Sequence, residues 1–205
     1  GMFSLPVESA DEFPKAQEIG HGAHTITISN GLLADNINRS LFATAQDELR
    51  PVMNGIYFDL KSDCLSIVAS DGHKLVRNNV LTIKSDTPAS FIMPKKPATL
   101  LKNLLGKDGG DVTIRFDERN AEINYGDGII TCRLIEGRYP NYNSVIPQSN
   151  PNQITVDRAS LLSALRRVQP FANGSSNLIR FHIENGMLQL DAEDFDFSKT
   201  ATEKM

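Results

Sequence analysis

The chain has 205 residues, 40% of them hydrophobic, and a formal net charge of −4. This length suffices for one large domain, or one and a half small ones, with a buried core, and no apolar run is long enough to cross a bilayer. The net charge argues against a uniformly basic nucleic-acid-binding protein. The two cysteines, Cys64 and Cys132, are too few for a disulfide framework and fit a reducing, cytoplasmic environment.

The first predicted unit is a strand, a helix and three further strands. Alternating residues at Thr25–Ile28 predict the first strand, and apolar residues at helical spacing from Leu33 to Leu41 predict the helix. Asn30 is the expected helix cap, and Asp47-Glu48 is the expected end of the helix. The three further strands are predicted at 55–60, 65–70 and 75–83.

The same order of elements is then predicted twice more. The second unit has a strand at 91–93, a leucine-faced helix at 94–107 ended by Asp108-Gly109-Gly110, and strands at 112–116, 121–125 and 129–134. In the third unit, the pattern at 153–156 matches that of 25–28. A helix capped by Asp157 or Ser160 follows, with strands at 178–183 and 187–190 and the start of another at Thr200.

Repetition at a period of about sixty residues indicates units that bury their apolar faces on one another. The expected fold class is α+β, with helices on one face of antiparallel sheets. Copies one and two are expected to pair into one domain at 22–149. Residues 150–205 hold a third copy without its partner copy, and residues 1–21 resemble a linker.

Basic residues concentrate in the predicted helices. The windows 31–46, 95–107 and 157–167 contain eight basic and two acidic residues, a net charge of +6, which leaves −10 for the rest of the chain. Basic helices can follow a phosphate backbone without reading bases, but ordinary solvated helix faces are an equally open interpretation. The candidate contacts are Arg39, Lys95, Lys96, Lys102, Arg166 and Arg167.

Few residues are arranged for catalysis. Asp71 and His73 form a possible acid/base pair beside the turn at Gly72, but neither a serine elbow nor a second carboxylate cluster accompanies them. The histidines His21 and His24 lack further ligands at metal-binding spacing. We therefore expect no catalytic residues, no metal and no cofactor.

Three separated motifs carry a resemblance to a known family. They are Leu49-Arg50-Pro51-Val52-Met53-Asn54-Gly55, the corner from Ser70 to Leu75, and Leu134-Ile135-Glu136-Gly137-Arg138-Tyr139-Pro140-Asn141-Tyr142 running on to Pro147. In this order, on this repeat, they resemble the bacterial DNA polymerase III beta subunit, the sliding clamp.

The resemblance implies the DNA clamp fold and a non-catalytic processivity factor that encircles duplex DNA as a ring. Residues 1–21 would be the tail of the first clamp domain and a linker, 22–149 the middle domain, and 150–205 the first half of the third. Double-stranded DNA would be bound without sequence preference. The full-length homodimer ring is not expected for this fragment.

The resemblance also implies a pocket for short peptide motifs of the DNA polymerase III catalytic subunit, the clamp loader and repair polymerases. The matching positions are Met53, Ser70, Gly72, His73, Lys74, Leu75, Pro140 and Val145. Lys74 stands where arginine is common in the family, and Pro51-Val52 stand where aromatic residues can contact DNA. Two alternatives remain open at this stage: an unrelated enzyme using Asp71 and His73, and a structural repeat protein without a pocket.

Overall fold

The computed structural model describes residues 1–13, 15, 18–106 and 109–205. By its internal contacts the chain divides into two compact units, residues 1–146 and 147–205, and each has a hydrophobic core. Within the described part of 1–21, the only regular element is a short 3-10 turn at Ala10–Glu12. Among the described residues, no helix is long and apolar enough to cross a membrane.

The first unit contains the two predicted copies of strand, helix and three strands. The first copy comprises β1 (His24–Ser29), α1 (Asn30–Leu41), β2 (Gly55–Leu60), β3 (Leu65–Ser70) and β4 (Leu75–Val80). The second copy comprises β5 (Ala89–Pro94), α2 (Lys95–Leu104), β6 (Asp111–Phe116), β7 (Asn120–Tyr125) and β8 (Gly128–Arg133). The predicted α+β class, with repeated units of one strand, one helix and three strands, is confirmed.

The two copies exchange their first strands. Strand β5 pairs antiparallel with β2, giving the sheet order β4-β3-β2-β5, and β1 pairs antiparallel with β6, giving β1-β6-β7-β8. Each sheet therefore contains three strands of one copy and one of the other. Because each copy supplies an edge strand to its neighbour, neither sheet is complete without the other copy.

One core joins both sheets and both helices. Leu33 and Ile37 of α1 and Leu101 of α2 are fully buried in it. Three phenylalanines run through its centre: the ring centroids of Phe58 and Phe91 are 4.7 Å apart, and those of Phe91 and Phe116 are 4.4 Å apart. These rings belong to strands of both sheets, so the aromatic contacts hold the two copies together.

Several element ends differ from the sequence-based expectation. Helix α1 ends at Leu41 instead of Asp47-Glu48, because residues 43–45 are buried and the Ala45 N–H donates to the Met53 carbonyl at 2.9 Å. Ser29, not Asn30, occupies the N-cap position of α1. Strand β4 ends at Val80, and α2 ends at Leu104. The predicted end of α2 at Lys107 and Asp108 lies outside the described residues.

The second unit is a three-stranded sheet with one helix. It comprises α3 (Arg158–Val168), β9 (Ile179–Glu184), β10 (Met187–Asp194) and β11 (Lys199–Lys204), with the sheet order β11-β10-β9. The carboxylate of Asp157 accepts from the Ser160 N–H at 2.8 Å, so Asp157 is the N-cap of α3. Ala164 and Val168 of α3 pack on Leu188, Leu190 and Ala192 of β10.

The strand predicted at 153–156 does not form. Its counterparts β1 and β5 are each paired with a strand of another copy. Within the described second unit, strand β9 pairs only with β10, and residues 153–156 join no sheet. An alternating segment without a ladder partner gains no interstrand hydrogen bonds, so its sequence pattern alone does not make it a strand.

Candidate functional site

A groove of about 480 Å³ lies on the first unit, where three segments distant in sequence meet. All eight pocket residues named from the sequence line it. Four further residues complete its walls. The full lining is Arg50, Met53, Ser70, Gly72, His73, Lys74, Leu75, Tyr139, Pro140, Asn141, Tyr142 and Val145.

The corner between β3 and β4 forms one wall and is fixed by its own side chains. The Asp71 carboxylate accepts from the backbone N–H groups of His73 and Lys74, at 3.0 and 2.9 Å, and forms an ion pair with the Lys74 ammonium. The Ser70 hydroxyl accepts from the Gly72 N–H at 3.1 Å and donates to the Lys74 carbonyl at 2.9 Å. The φ of Gly72 is +92°, which favours glycine.

The electrostatics of this corner argue against the acid/base alternative. Hydrogen bonds from the Lys74 side chain, and from the backbone of Lys74 and His73, hold the pKa of Asp71 well below its usual range. Such a carboxyl group stays ionised and engaged by its own turn, so it is poorly suited to donate a proton near neutral pH. Asp71 therefore acts in the structure as the residue that shapes the corner.

The loop before β2 contributes Arg50 and Met53 to the groove lining. The Asn54 side-chain amide donates to the Asp47 carbonyl at 2.9 Å and accepts from the Asp47 N–H at 3.0 Å, which closes the loop. Met53 is 6% exposed, yet it reaches the groove. Arg50 forms an ion pair with Asp47 at 2.8 Å and lies so close to Gly72 that a Cβ there would be 2.8 Å from its Nη1.

The connector after β8 forms another part of the groove lining and carries an exposed apolar residue. The Ile135 N–H donates to the Ile92 carbonyl at 3.0 Å, which fixes where the connector leaves the sheet. The ring of Tyr139 stacks on that of Tyr57 with centroids 4.6 Å apart, and burial raises the pKa of Tyr139 to about 12. A 3-10 turn at Tyr142–Val145 then presents Val145, which is 68% exposed.

Tyr142 attaches this turn to β2 and the residue following it. Its hydroxyl donates to the Asp59 carboxylate at 2.7 Å and accepts from the Lys61 ammonium at 2.7 Å. Lys61 and Asp59 are also paired directly at 2.9 Å. Burial by itself lowers the pKa of Lys61, but the bonds from Tyr142 and Asp59 outweigh it and raise that pKa. This triad holds the connector beside the groove.

Replacing Tyr142 with phenylalanine is expected to lower the free energy of unfolding of the first unit by about 1 kcal/mol, since the ring stays buried but its two hydrogen bonds are lost. Chemical denaturation measures this change. Tyr125→Phe is the matched control, because no hydrogen bond to the Tyr125 hydroxyl is found among the described residues. Equal losses for the two variants would show that the triad does not stabilise the connector.

The six basic residues predicted to contact DNA lie on the three helices, and most of their side chains are exposed. Arg39, Lys96, Lys102 and Arg166 are exposed, and Lys95 is half-buried. Arg167 is also exposed, but its guanidinium is paired with Glu203 and donates to the Ser163 hydroxyl at 2.7 Å. Arg39 forms an exposed ion pair with Asp35 at 4.0 Å. Among the described residues, Lys95, Lys96, Lys102 and Arg166 have no carboxylate partner within ion-pair distance.

The sequence prediction did not name four of the lining residues: Arg50, Tyr139, Asn141 and Tyr142. They belong to the same two motifs as the predicted residues, but Arg50, Tyr139 and Tyr142 also contact residues far away in sequence. Tyr142, for example, bonds to Lys61, 81 residues earlier. In the part of the chain that the structure describes, no group of three or more His, Cys, Asp or Glu side chains could hold a metal ion.

Comparison with known proteins identifies two adjacent family matches. Residues 27–141 match the model of the DNA polymerase III beta subunit, central domain, and residues 143–205 match that of its C-terminal domain. The beta sliding clamp of Synechococcus elongatus is 30% identical over 202 residues, covering 95% of this chain and 54% of the relative. The beta sliding clamp of Pseudomonas aeruginosa is 30% identical, covering 94% of this chain and 52% of the relative.

Solved structures show the same similarity. The crystal structure of the P. aeruginosa DNA polymerase III subunit beta has a TM-score of 0.91 at 29% identity and covers 99% of this chain and 56% of that one. A P. aeruginosa sliding clamp bound to griselimycin has a TM-score of 0.88 at 29% identity, covering 96% and 53%. The chain thus spans about half the length of the relatives it matches.

Proposed function

Because the chain belongs to the DNA polymerase III beta-subunit family, we propose that it is a replication clamp element that recruits partner proteins through the groove on its first unit. Its matched relatives are named sliding clamps, and the chain, like them, is not an enzyme. Since the chain spans about half of their length, contact with duplex DNA and recruitment of polymerase-type partners are proposals for this chain.

One observation carries the partner-binding proposal. Residues from three separate segments converge on one groove whose lining exposes more apolar than polar surface. Met53, Leu75 and Val145 offer apolar surface, while His73 and Lys74 offer donors at the rim. This is the usual composition of a site for a short peptide with an apolar end. A methionine in the lining can repack, which suits a site that accepts several sequences.

Weak, sequence-independent contact with duplex DNA is the second part of the proposal. Arg39 on α1 and Lys96 and Lys102 on α2 are exposed on helices that pack against each other. Ammonium and guanidinium groups on such helices can approach phosphates without reading bases. Arg167 on α3 is the weakest member of the predicted set, because the Glu203 carboxylate already compensates its charge.

Titrating the labelled chain with a short peptide ending in Leu-Phe, followed by NMR, tests the partner-binding proposal. We expect shifts grouped at Met53, His73, Leu75 and Val145. Val145→Asp is expected to weaken binding at least tenfold, about 1.4 kcal/mol, because it places a charge where the apolar end of the peptide lies.

Ile129→Asp is the matched control. Ile129 is 65% exposed, close to the 68% of Val145, but it lies on β8 and does not line the groove. This variant should bind the peptide normally. Undiminished binding by folded Val145→Asp, shifts centred outside the groove, or no shifts at about millimolar peptide would contradict the proposal.

A further inference from the structure

The dipeptide asparagine–glycine occurs four times in the chain, and its chemistry depends on the structure around it. Glycine has no Cβ, so its backbone nitrogen is open enough to attack the side-chain amide carbon of the asparagine before it. The attack expels ammonia and leaves a cyclic imide, which water opens to an acid. The four pairs are Asn30-Gly31, Asn54-Gly55, Asn173-Gly174 and Asn185-Gly186.

The two pairs in the first unit are held in place by regular structure and packing. Asn30 is the first residue of α1, where the helical backbone fixes the direction of the next N–H. The side chain of Asn54 bonds twice to the backbone of Asp47, and a Cβ on Gly55 would lie 2.5 Å from the Met93 carbonyl oxygen. Forming a cyclic imide reorients the backbone, so neither pair is free to react.

The pair Asn173-Gly174 lies in the loop between α3 and β9, where three donors hold the asparagine side-chain oxygen. The N–H and the hydroxyl of Ser175 donate to it at 3.0 and 2.6 Å, and the Ser176 N–H donates at 3.4 Å. When a nitrogen attacks the amide carbon, negative charge develops on this oxygen, and the same donors stabilise that charge. Gly174 is exposed, with nothing within 4 Å of an added Cβ. The loop therefore combines an open nucleophile with a polarised amide.

The side-chain nitrogen of Asn173 lies between two carboxylates. It donates to the Asp194 carboxylate at 3.3 Å and to the Asp196 carboxylate at 3.2 Å. Asp194 is 3% exposed and has no cation within ion-pair distance in the described part of the chain. Converting the amide to a carboxylate removes both hydrogen bonds and places a third negative charge beside the other two, which is costly at a buried position.

A solvent-filled cavity of about 360 Å³ adjoins the pair. Its lining includes Asn173, three carboxylates and one guanidinium, namely Asp191, Glu193, Asp196 and Arg180. The cavity gives water access to a cyclic imide at this position. Because carboxylates already outnumber the single cation in this lining, a further negative charge is left without a counterion.

From these features we infer that Asn173 is a site of spontaneous deamidation, and that the modification opens the loop at 173–177. The Gly174 nitrogen forms a bond to Cγ of Asn173, the Cγ–Nδ2 bond breaks, and ammonia leaves with the proton of the Gly174 N–H. Water then opens the imide, giving aspartate or, when it attacks the backbone carbonyl, isoaspartate. One water is consumed, one ammonia is released, and position 173 gains a negative charge. The inference concerns the second unit and is independent of the peptide groove.

Peptide mass spectrometry of the 205-residue chain after incubation at mildly alkaline pH tests the modification. We expect the amide-to-acid mass gain at Asn173 and at Asn185, which is exposed in the β9–β10 turn, and none at Asn54 in the folded chain. Ser175→Ala removes one donor to the Asn173 amide oxygen and should slow the reaction there about tenfold. The rate at Asn185 in the same sample is the internal control. Reaction at Asn185 without reaction at Asn173, or an unchanged rate at Asn173 in the variant, would overturn the inference.

Hydrogen exchange tests the effect on the loop. The Asn177 N–H donates to the Asn173 carbonyl at 2.8 Å, and Asn173→Asp should speed its exchange about tenfold. Adding Asp196→Asn should restore most of the protection, because it returns an amide donor between the carboxylates. Asn185→Asp adds the same charge at an exposed turn and should leave this exchange unchanged. The deamidated chain itself, separated by ion exchange, should behave like Asn173→Asp. Full protection in either form, or no rescue by Asp196→Asn, would contradict the proposed opening of the loop.

Discussion

Replacing Phe58 with alanine is expected to lower the free energy of unfolding of the first unit by about 3–5 kcal/mol. The ring is 1% exposed and stacks on Phe91 across the β2–β5 pair, with centroids 4.7 Å apart. Phe91 in turn contacts Phe116 of the other sheet. Truncation therefore leaves a cavity where the two copies meet, and the surrounding strands cannot close it without breaking their ladders.

Chemical denaturation measures this loss, with the midpoint and the slope reported separately. Phe42→Ala removes the same ring at a position that is 64% exposed just after α1, and it should change the unfolding free energy by less than about 0.5 kcal/mol. Equal effects of the two variants would mean that Phe58 does not support the contact between the copies. Only a loss confined to Phe58→Ala agrees with the core described above.

The second large effect is expected for Gly55→Ala, at the start of β2. An added Cβ would lie 2.5 Å from the Met93 carbonyl oxygen, 2.8 Å from Ile92 Cγ2 and 2.9 Å from Ile135 Cδ1. The carbonyl belongs to the paired strand β5 and cannot move without disturbing the exchanged ladder. We expect a loss of about 1–3 kcal/mol in the unfolding free energy.

Gly31→Ala is the control for this prediction and should have the opposite sign. Gly31 lies in the first turn of α1, and nothing lies within 4 Å of its added Cβ. Alanine there should stabilise the unit by about 0.5–1 kcal/mol through its higher helix propensity. If Gly55→Ala did not lower the free energy of unfolding, β5 could not approach β2 as closely at this point as the structure shows.

The composition of the groove was partly predictable from sequence. Motifs around Met53, the Ser70–Leu75 corner and Pro140–Val145 identified eight residues that the structure places around one groove, and their role as a partner site remains a proposal. Arg50 and Tyr142 were missed as lining residues. Their positions depend on Gly72 and on Lys61 and Asp59, and no local pattern reports contacts over such separations.

Local interactions explain which elements the sequence predicted correctly. Alternation at β1 and leucine spacing in α2 and α3 depend on residues two to four positions apart, so they can be recognised in the sequence itself. The predicted end of α1 was wrong for a tertiary reason, since the Ala45 N–H bonds to Met53 and burial of residues 43–45 turns the chain away from the helix.

The sequence by itself determined the order of strands and helices, the repeat of the unit and the basic character of the helices. Only the tertiary structure decided that β1 and β5 exchange between copies, that residues 153–156 stay unpaired, and that three segments enclose a groove. The physical reason is that an amphipathic pattern specifies which face of a helix or strand is buried. It does not specify the partner, because the partner depends on which strand edges and apolar surfaces are available elsewhere in the chain.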